Sequence, residues 1–239
     1  MSGDRVPSPV LKPLRSEREL EHKEVTTVVI EPATGAAKSR NQRIGASRLR
    51  AYKWLTVATE QVYTTPIFDL HRRKSAHPRR GERDFYVLAA PAWVNIIPVT
   101  REREVVLVRQ YRHGISRFTL EIPGGMIDPE DPNPAEAARR EMIEESGYDS
   151  EVVIPLGRVH PNPAIQPNLC YSFFARNVRR IADPHPNIGG SEETEVITVP
   201  LANIKDMIAS GKITHALVIA AFSFFHIYNP PSRNGRRTS

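Results

Sequence analysis

Cysteine is nearly absent: Cys170 is the only one, so no intramolecular disulfide can form and nothing in the chain asks for an oxidising compartment. A reducing cytoplasm is the expected setting. Long hydrophobic runs are missing too. The longest, ALVIAAFSFF from Ala216 to Phe225, falls well short of the roughly 20 apolar residues that span a bilayer, and it reads as a buried C-terminal helix. The N-terminus has no apolar stretch and carries Asp4, Glu17, Glu19, Glu21 and Glu24, which speaks against a secretory signal or a transit peptide. There is no internal repeat and no low-complexity tract. What is present is ordinary: 239 residues, 40% hydrophobic and 25% charged, the profile of one globular unit with an appendage. The net charge of +6 comes from basic residues concentrated in tails and one loop rather than on a helix face, so it implies a modest attraction for anionic ligands and not a nucleic-acid surface.

Residues 1–50 mix Pro, Ser, Arg and Glu with few aromatics and cannot bury enough apolar surface to offset their ordering entropy. A flexible arm is expected there, with one short strand over Glu24 to Glu31, where β-branched residues cluster. From Lys53 onward short β-type runs follow one another: WLTVATEQVY, TPIFDLHRRK, DFYVLAA, WVNIIPV and EVVLVRQYR. They read as an antiparallel meander, with SAHPRRGER as a solvated basic loop between the second and third.

A helix is predicted over Pro134 to Ser146, with proline in its first turn and Gly147 at its C-terminal cap. Ala137, Ala138, Met142 and Ile143 form its expected buried stripe. Strands follow near Val152 to Leu156, Leu169 to Ala175 and at EVITVPL, then helices near Leu201 to Ser210 and Thr214 to Tyr228. The order implies an α+β protein with a mixed β-sheet sandwiched between helices and an N-terminal antiparallel strand region. The expected domains are a region over 51–92, a main domain over 93–229 and a flexible tail over 230–239.

The informative segment is GGMIDPEDPNPAEAARREMIEESGY, Gly124 to Tyr148. On a helix Glu141, Glu144 and Glu145 share one surface, where like charges repel by about 0.2–0.5 kcal/mol per pair and oppose the helix dipole near its C-terminus. A hard divalent cation would reverse both penalties. Arg140 lies four residues from both Glu136 and Glu144 and can hold either. In isolation such a string is more often a solvated face with ordinary ion pairs.

The segment resembles the Nudix box, through Gly125, Arg140, Glu141, Met142, Glu144, Glu145, Gly147 and Tyr148. LEIPGG, Leu120 to Gly125, resembles the entry to that box in the ADP-ribose and nucleotide-sugar pyrophosphatase branch. The likeness covers about Lys53 to Tyr228. It departs at one place: the spacer is one residue longer than usual and puts Asp131 and Pro132 where the first acidic residue belongs. Asp128, Glu130 and Asp131 are the candidates for that position.

The resemblance implies the Nudix fold and hydrolysis of the pyrophosphate of a nucleoside diphosphate linked to a sugar, of ADP-ribose, ADP-sugar or GDP-mannose type, releasing two monophosphates. It implies Mg²⁺, with Mn²⁺ possible, held by the carbonyl of Gly124 and by Glu141 and Glu145, with Glu144 nearby. A water-orienting carboxylate is expected from the glycine-rich acidic loop GGSEETEV, at Glu192 or its rival Glu193, with Glu144 as a further catalytic candidate. Arg112 matches the position that meets the diphosphate, Arg109 precedes it, and Glu121 matches a position near substrate and metal. Arg112 and Glu121 read almost equally well as a strand-end ion pair. Tyr63, Phe68, Phe85 and Trp93 are candidates to stack a base or, more commonly for strand aromatics, to fill the core.

Pro163 is placed as in ADP-sugar pyrophosphatases, but the loop reads Pro-Ala-Ile-Gln-Pro-Asn rather than the Pro-Gly-x-x-x-Glu of that branch, leaving GDP-mannose and other nucleotide sugars or dinucleotides open. His160 and His215 lack metal-ligand spacing and read as loop or cap residues. The branch also implies a homodimer joined through residues 51–92. The rival reading is a weakly active or inactive nucleotide sensor, or an RNA-associated protein, on a Nudix scaffold; it is opposed by the intact set of central carboxylates.

Overall fold

The computed structural model describes residues 53–185 and 194–228. The predicted arm, its strand over Glu24 to Glu31, the acidic loop with Glu192 and Glu193, and the tail over 230–239 lie outside the described residues.

Three strands, β1 (Leu55–Thr64), β2 (Asp69–His77) and β3 (Gly81–Ala89), form an antiparallel sheet in sequence order. The basic loop predicted between the last two is mostly strand. β2 runs on to His77, the turn is confined to 78–80, and β3 starts at Gly81, whose φ of 66° supplies the left-handed residue that a tight hairpin needs. His77 closes the turn by accepting the Arg79 N–H on Nδ1 at 3.0 Å and the Arg80 N–H on its carbonyl at 3.1 Å. Trp54 packs beside both His77 and Phe85.

The predicted meander stops at β3. The next strands, β4 (Trp93–Val99) and β5 (Glu104–Arg112), belong to a second sheet with β6 (Arg117–Glu121), β7 (Gly124–Met126), β9 (Val153–Val159), β10 (Cys170–Arg176) and β12 (Thr194–Pro200). The order is β12-β5-β4-β10-β9, and β4 runs parallel to β10. Such a pairing sits where both faces are covered, and β4 is buried from Val94 to Val99. Close to Val99 and Val105 β4 pairs β5; beyond that point the two diverge, and β7 pairs β4 while β6 pairs β5. The sheet is therefore split, with the β6–β7 connection at Ile122 and Pro123 inside the split. A small pair, β8 (Tyr148–Asp149) and β11 (Arg179–Arg180), completes the strands.

Helix α1 (Pro134–Ser146) matches its predicted span. Asn133 caps it by accepting the N–H groups of Ala135 and Glu136 at 2.9 and 3.1 Å, and Gly147 ends it at φ 71°. Its buried stripe is Ala137, Ala138 and Met142, continued by Glu145 and Ser146; Ile143 turns instead toward an outer groove. α1 covers one face of the sheet through Val94, Ile96, Val106, Phe173 and Ala175. The other face carries α2 (Ile204–Ala209), entered by a 3₁₀ turn at Leu201–Asn203, and α3 (Ala216–Tyr228). Val218, Phe222 and Phe225 of α3 meet Ile97, Val105, Leu107 and Phe174 there. This is the expected mixed sheet between helices. Among the described residues no helix is long and apolar enough to cross a membrane.

Candidate functional site

Two of the three predicted carboxylates turn inward, toward the backbone of β7. Glu145 is 5% exposed and accepts the Gly124 N–H on Oε2 at 2.9 Å. Glu141, one turn earlier, lies against Gly125 so closely that a Cβ there would stand 2.5 Å from Oε1. A Cβ on Gly124 would meet the Val94 carbonyl at 2.3 Å. The adjacent glycines thus let the chain thread between β4 and a pair of carboxylates. Burial pushes the Glu141 carboxyl up to about 7, against the pull of Arg140 and with some help from Glu144 and Asp128.

Arg140 occupies the centre of the acidic patch. Nε and Nη2 donate to the two Asp131 oxygens at 3.0 and 2.9 Å, and Nη1 donates to Glu141 at 2.9 Å and to Glu144 at 3.2 Å. Nη2 also reaches the Met126 carbonyl at 3.1 Å and pairs with Asp128 at 3.3 Å. These carboxylates hold its guanidinium well above its ordinary value. The crowding of Glu141 and Glu144 is therefore relieved in part by an arginine of the same helix. Arg139 turns away and grips Asp149 with two bonds, at 2.7 and 2.8 Å.

Asp131 also accepts the Asp128 N–H at 2.8 Å, and the Arg140 bonds hold its carboxyl below the usual range. Of the three candidates left open by the longer spacer, Asp131 ties the loop to α1 with two hydrogen bonds and Asp128 adds a longer ion pair to the same arginine. Glu144 shares Arg140 Nη1 with Glu141 but is not turned toward the Gly124–Gly125 backbone. Its side chain lies in the outer groove with Glu136, Arg139, Arg140, Ile143 and His185, and its carbonyl accepts the His185 N–H at 2.9 Å. Among the described residues no three acidic, histidine or cysteine side chains converge to hold a metal ion unaided.

A second cluster stands at the end of β5. Residues 106, 108, 110 and 112 alternate onto the face covered by α1, since Val106 packs with Ala137, Ala138 and Met142. Gln110 is registered with Thr194, whose hydroxyl donates to the Glu145 carbonyl at 3.2 Å, so this row adjoins the end of α1 that carries Glu145. Arg112 is next in the row and donates Nε and Nη2 to the two Glu121 oxygens, each at 2.8 Å. Glu121 is only 3% exposed. Burial alone would raise it, but Arg112, His215 and Thr119 together carry its carboxyl below the ordinary value. Arg109 faces the opposite layer, where it pairs with Glu195 at 3.3 Å, so Arg109 and Arg112 are not brought together.

Residues 90–222 match the family model described as the NUDIX domain. The chain belongs to the Nudix family. It is similar to an ADP-ribose pyrophosphatase of Bacillus subtilis (strain 168), 23% identical over 172 residues that span 72% of this chain and 92% of the relative. A GDP-mannose pyrophosphatase of Escherichia coli (strain K12) is 25% identical over 185 residues, 71% of this chain and 94% of the relative. A solved structure of an ADP compounds hydrolase superposes with a TM-score of 0.63 at 20% identity, covering 74% of this chain and 94% of that one, which shows the shared fold. By its family and these relatives this is a Nudix pyrophosphohydrolase.

The box of this Nudix enzyme thus combines three things: paired glycines, two inward carboxylates one helical turn apart, and an arginine that braces the loop before the helix. The two carboxylates among these suit a hard divalent cation, which takes a few carboxylate and carbonyl oxygens and completes its shell with water and substrate phosphates. Gly124, Gly125, Glu141, Glu145 and Arg140 were all named from the sequence, and Asp131 was one of three candidates for the loop carboxylate. What sequence reading missed is the company of Glu121. Thr119 donates its hydroxyl to Oε1, and His215 places Nε2 3.8 Å from Oε2. His215 does cap α3, as expected, by accepting the Leu217 N–H on Nδ1 at 3.2 Å, but no local spacing links it to a residue so far back in the chain.

Proposed function

We propose that this Nudix enzyme cuts the pyrophosphate of a nucleoside diphosphate linked to a sugar, releasing two monophosphates, with Mg²⁺ or Mn²⁺ as cofactor. The observation that carries the reading is the pair of inward carboxylates, Glu141 and Glu145, pressed against the Gly124–Gly125 backbone where a side chain has no room. Glu141, Glu145 and the Gly124 carbonyl would hold the cations, which supply charge neutralisation on the diphosphate and a more acidic bound water. Arg140 and Asp131 keep the loop and helix in register. Arg112, fixed by Glu121, presents a planar and permanently charged group to a diphosphate oxygen. Glu192 or Glu193 orients the attacking water, and Glu144, between Glu141 and Glu145 in the sequence, is the further candidate for that task.

ADP-ribose, ADP-sugars and GDP-mannose are the substrates to test first, because pyrophosphatases for ADP-ribose and GDP-mannose are among the relatives. The Pro163 loop lacks the glycine and glutamate of the ADP-ribose type, which keeps the other sugars in the panel. The working form in this reading is a cytoplasmic homodimer.

The test is a hydrolysis screen over ADP-ribose, ADP-glucose and GDP-mannose with and without Mg²⁺, on the unaltered chain and on Glu145→Gln. The substitution is expected to lower kcat by two or more orders of magnitude at saturating metal, the scale on which a transition-state contact is lost, with little change in Tm. Undiminished turnover would refute the metal role.

A further inference from the structure

Glu121 is held from both sides of the split sheet. A carboxylate offers about four acceptor positions. Arg112 Nε and the Thr119 hydroxyl take Oε1, Arg112 Nη2 takes Oε2, and the remaining side of Oε2 faces His215 Nε2 at 3.8 Å. Arg112 and Thr119 reach it from the face of the sheet that carries the box helix. His215 reaches it from the layer of α3, whose Leu217 carbonyl also takes the Asn95 side-chain N–H at 3.2 Å. Because Nδ1 accepts the Leu217 N–H, the proton of the neutral ring sits on Nε2 and points at the carboxylate. The capping bond thereby fixes both the ring plane and the tautomer. Beside Arg112 and His215 lies an opening of about 490 Å³, lined also by His113, Ile115, Thr119 and Thr214.

We propose that His215 is a positioning residue for diphosphate recognition: through Nε2 it fixes Glu121, and through Glu121 it fixes the plane of the Arg112 guanidinium. The inference rests on the hydrolase reading above. It places the start of the last helix in control of a group on the opposite face, so α3 contributes to substrate affinity without touching substrate.

The decisive variant is His215→Asn. Asparagine caps helices well, so its side-chain oxygen keeps the Leu217 N–H, but it is too short to reach Glu121. Binding of the non-hydrolysable α,β-methylene analogues of ADP-ribose and GDP-mannose is measured by calorimetry on the full chain, together with Tm. H215N is expected to keep Tm within about 2 °C and to weaken analogue binding about threefold, because Nε2 stands 3.8 Å from Oε2 and acts on the carboxylate through its dipole rather than through a hydrogen bond. In an Arg112→Ala background the same change is expected to weaken binding by less than about twofold, because residues acting as one unit are not additive. The variant is expected to raise KM with kcat nearly unchanged.

Unchanged analogue binding in H215N, or the full threefold loss persisting without Arg112, would overturn this assignment while leaving the hydrolase reading intact. Failure of the unaltered chain to bind either analogue would overturn the hydrolase reading and this inference with it.

Discussion

At the scale of the residue, Glu141 carries a readable signature. Its carboxyl is pushed up to about 7 by burial beside Glu144 and Asp128, with Arg140 only partly compensating. The raised value means the metal-free fold holds this proton longer than the unfolded chain does. Its contribution to stability is fully present below the ordinary glutamate value and is lost as pH rises through about 7. A bound cation reverses that loss by favouring the charged form. The increase in Tm caused by saturating Mg²⁺ is therefore expected to grow steadily from pH 6 to pH 8, and calorimetry in matched buffers measures it. Glu141→Gln is expected to flatten that growth. A Tm increase independent of pH over this range would remove Glu141 from the metal shell. Cys170 stands at the other extreme: it is buried and its thiol is pushed up to about 12, so it packs as a small apolar group and takes no part in the chemistry.

At the scale of the element, β7 and α1 divide the work of the two glycines. A methyl group at position 124 meets the Val94 carbonyl, which is fixed backbone of β4, whereas one at 125 meets the end of the Glu141 side chain, which can move. Gly124→Ala is expected to cost about 1–3 kcal/mol of stability by overpacking. Gly125→Ala is expected to cost much less stability and to depress metal affinity and turnover at least tenfold by displacing Glu141. Denaturant unfolding and metal titration of the two variants separate these effects; equal losses of stability would contradict the geometry.

The same two elements show where sequence reading succeeds and fails. α1 was legible in its span because its signals are local: Pro134 at one end, Gly147 at the other, and alanines with Met142 between. β6 and β7 were not legible, since five and three residues around Pro123 carry no period, and their pairing depends on β4 and β5 diverging. Ile143 was misplaced on the buried stripe because residue type suggests burial. The helix instead turns Glu145 inward, where the Gly124 N–H receives it.

At the scale of the whole molecule, the three-stranded sheet stands out. β1 is exposed along all ten residues, including Leu55, Val57, Val62 and Tyr63, and Tyr86 of β3 is exposed as well. An apolar edge strand of that length is a template for pairing with another chain. Light scattering on the full chain is expected to give the mass of two copies, and Val57→Asp is expected to shift it toward one copy with the hydrolase fold preserved. A monomer at micromolar concentration in the unaltered protein would reject the dimer.

Residue types and their local spacing were enough to assign the family and the α+β class. The helix that carries the carboxylates was set as well, because spacing and capping act over a few neighbouring residues, and a single cysteine excludes an intramolecular disulfide. The parallel run of β4 beside β10, the two-bond grip of Asp131 on Arg140 with Asp128 only a longer ion pair, and the facing of His215 and Glu121 came from the tertiary structure. Those outcomes depend on which strands and loops come to lie side by side in the split sheet, and contacts between residues distant in the chain leave no periodicity in the sequence.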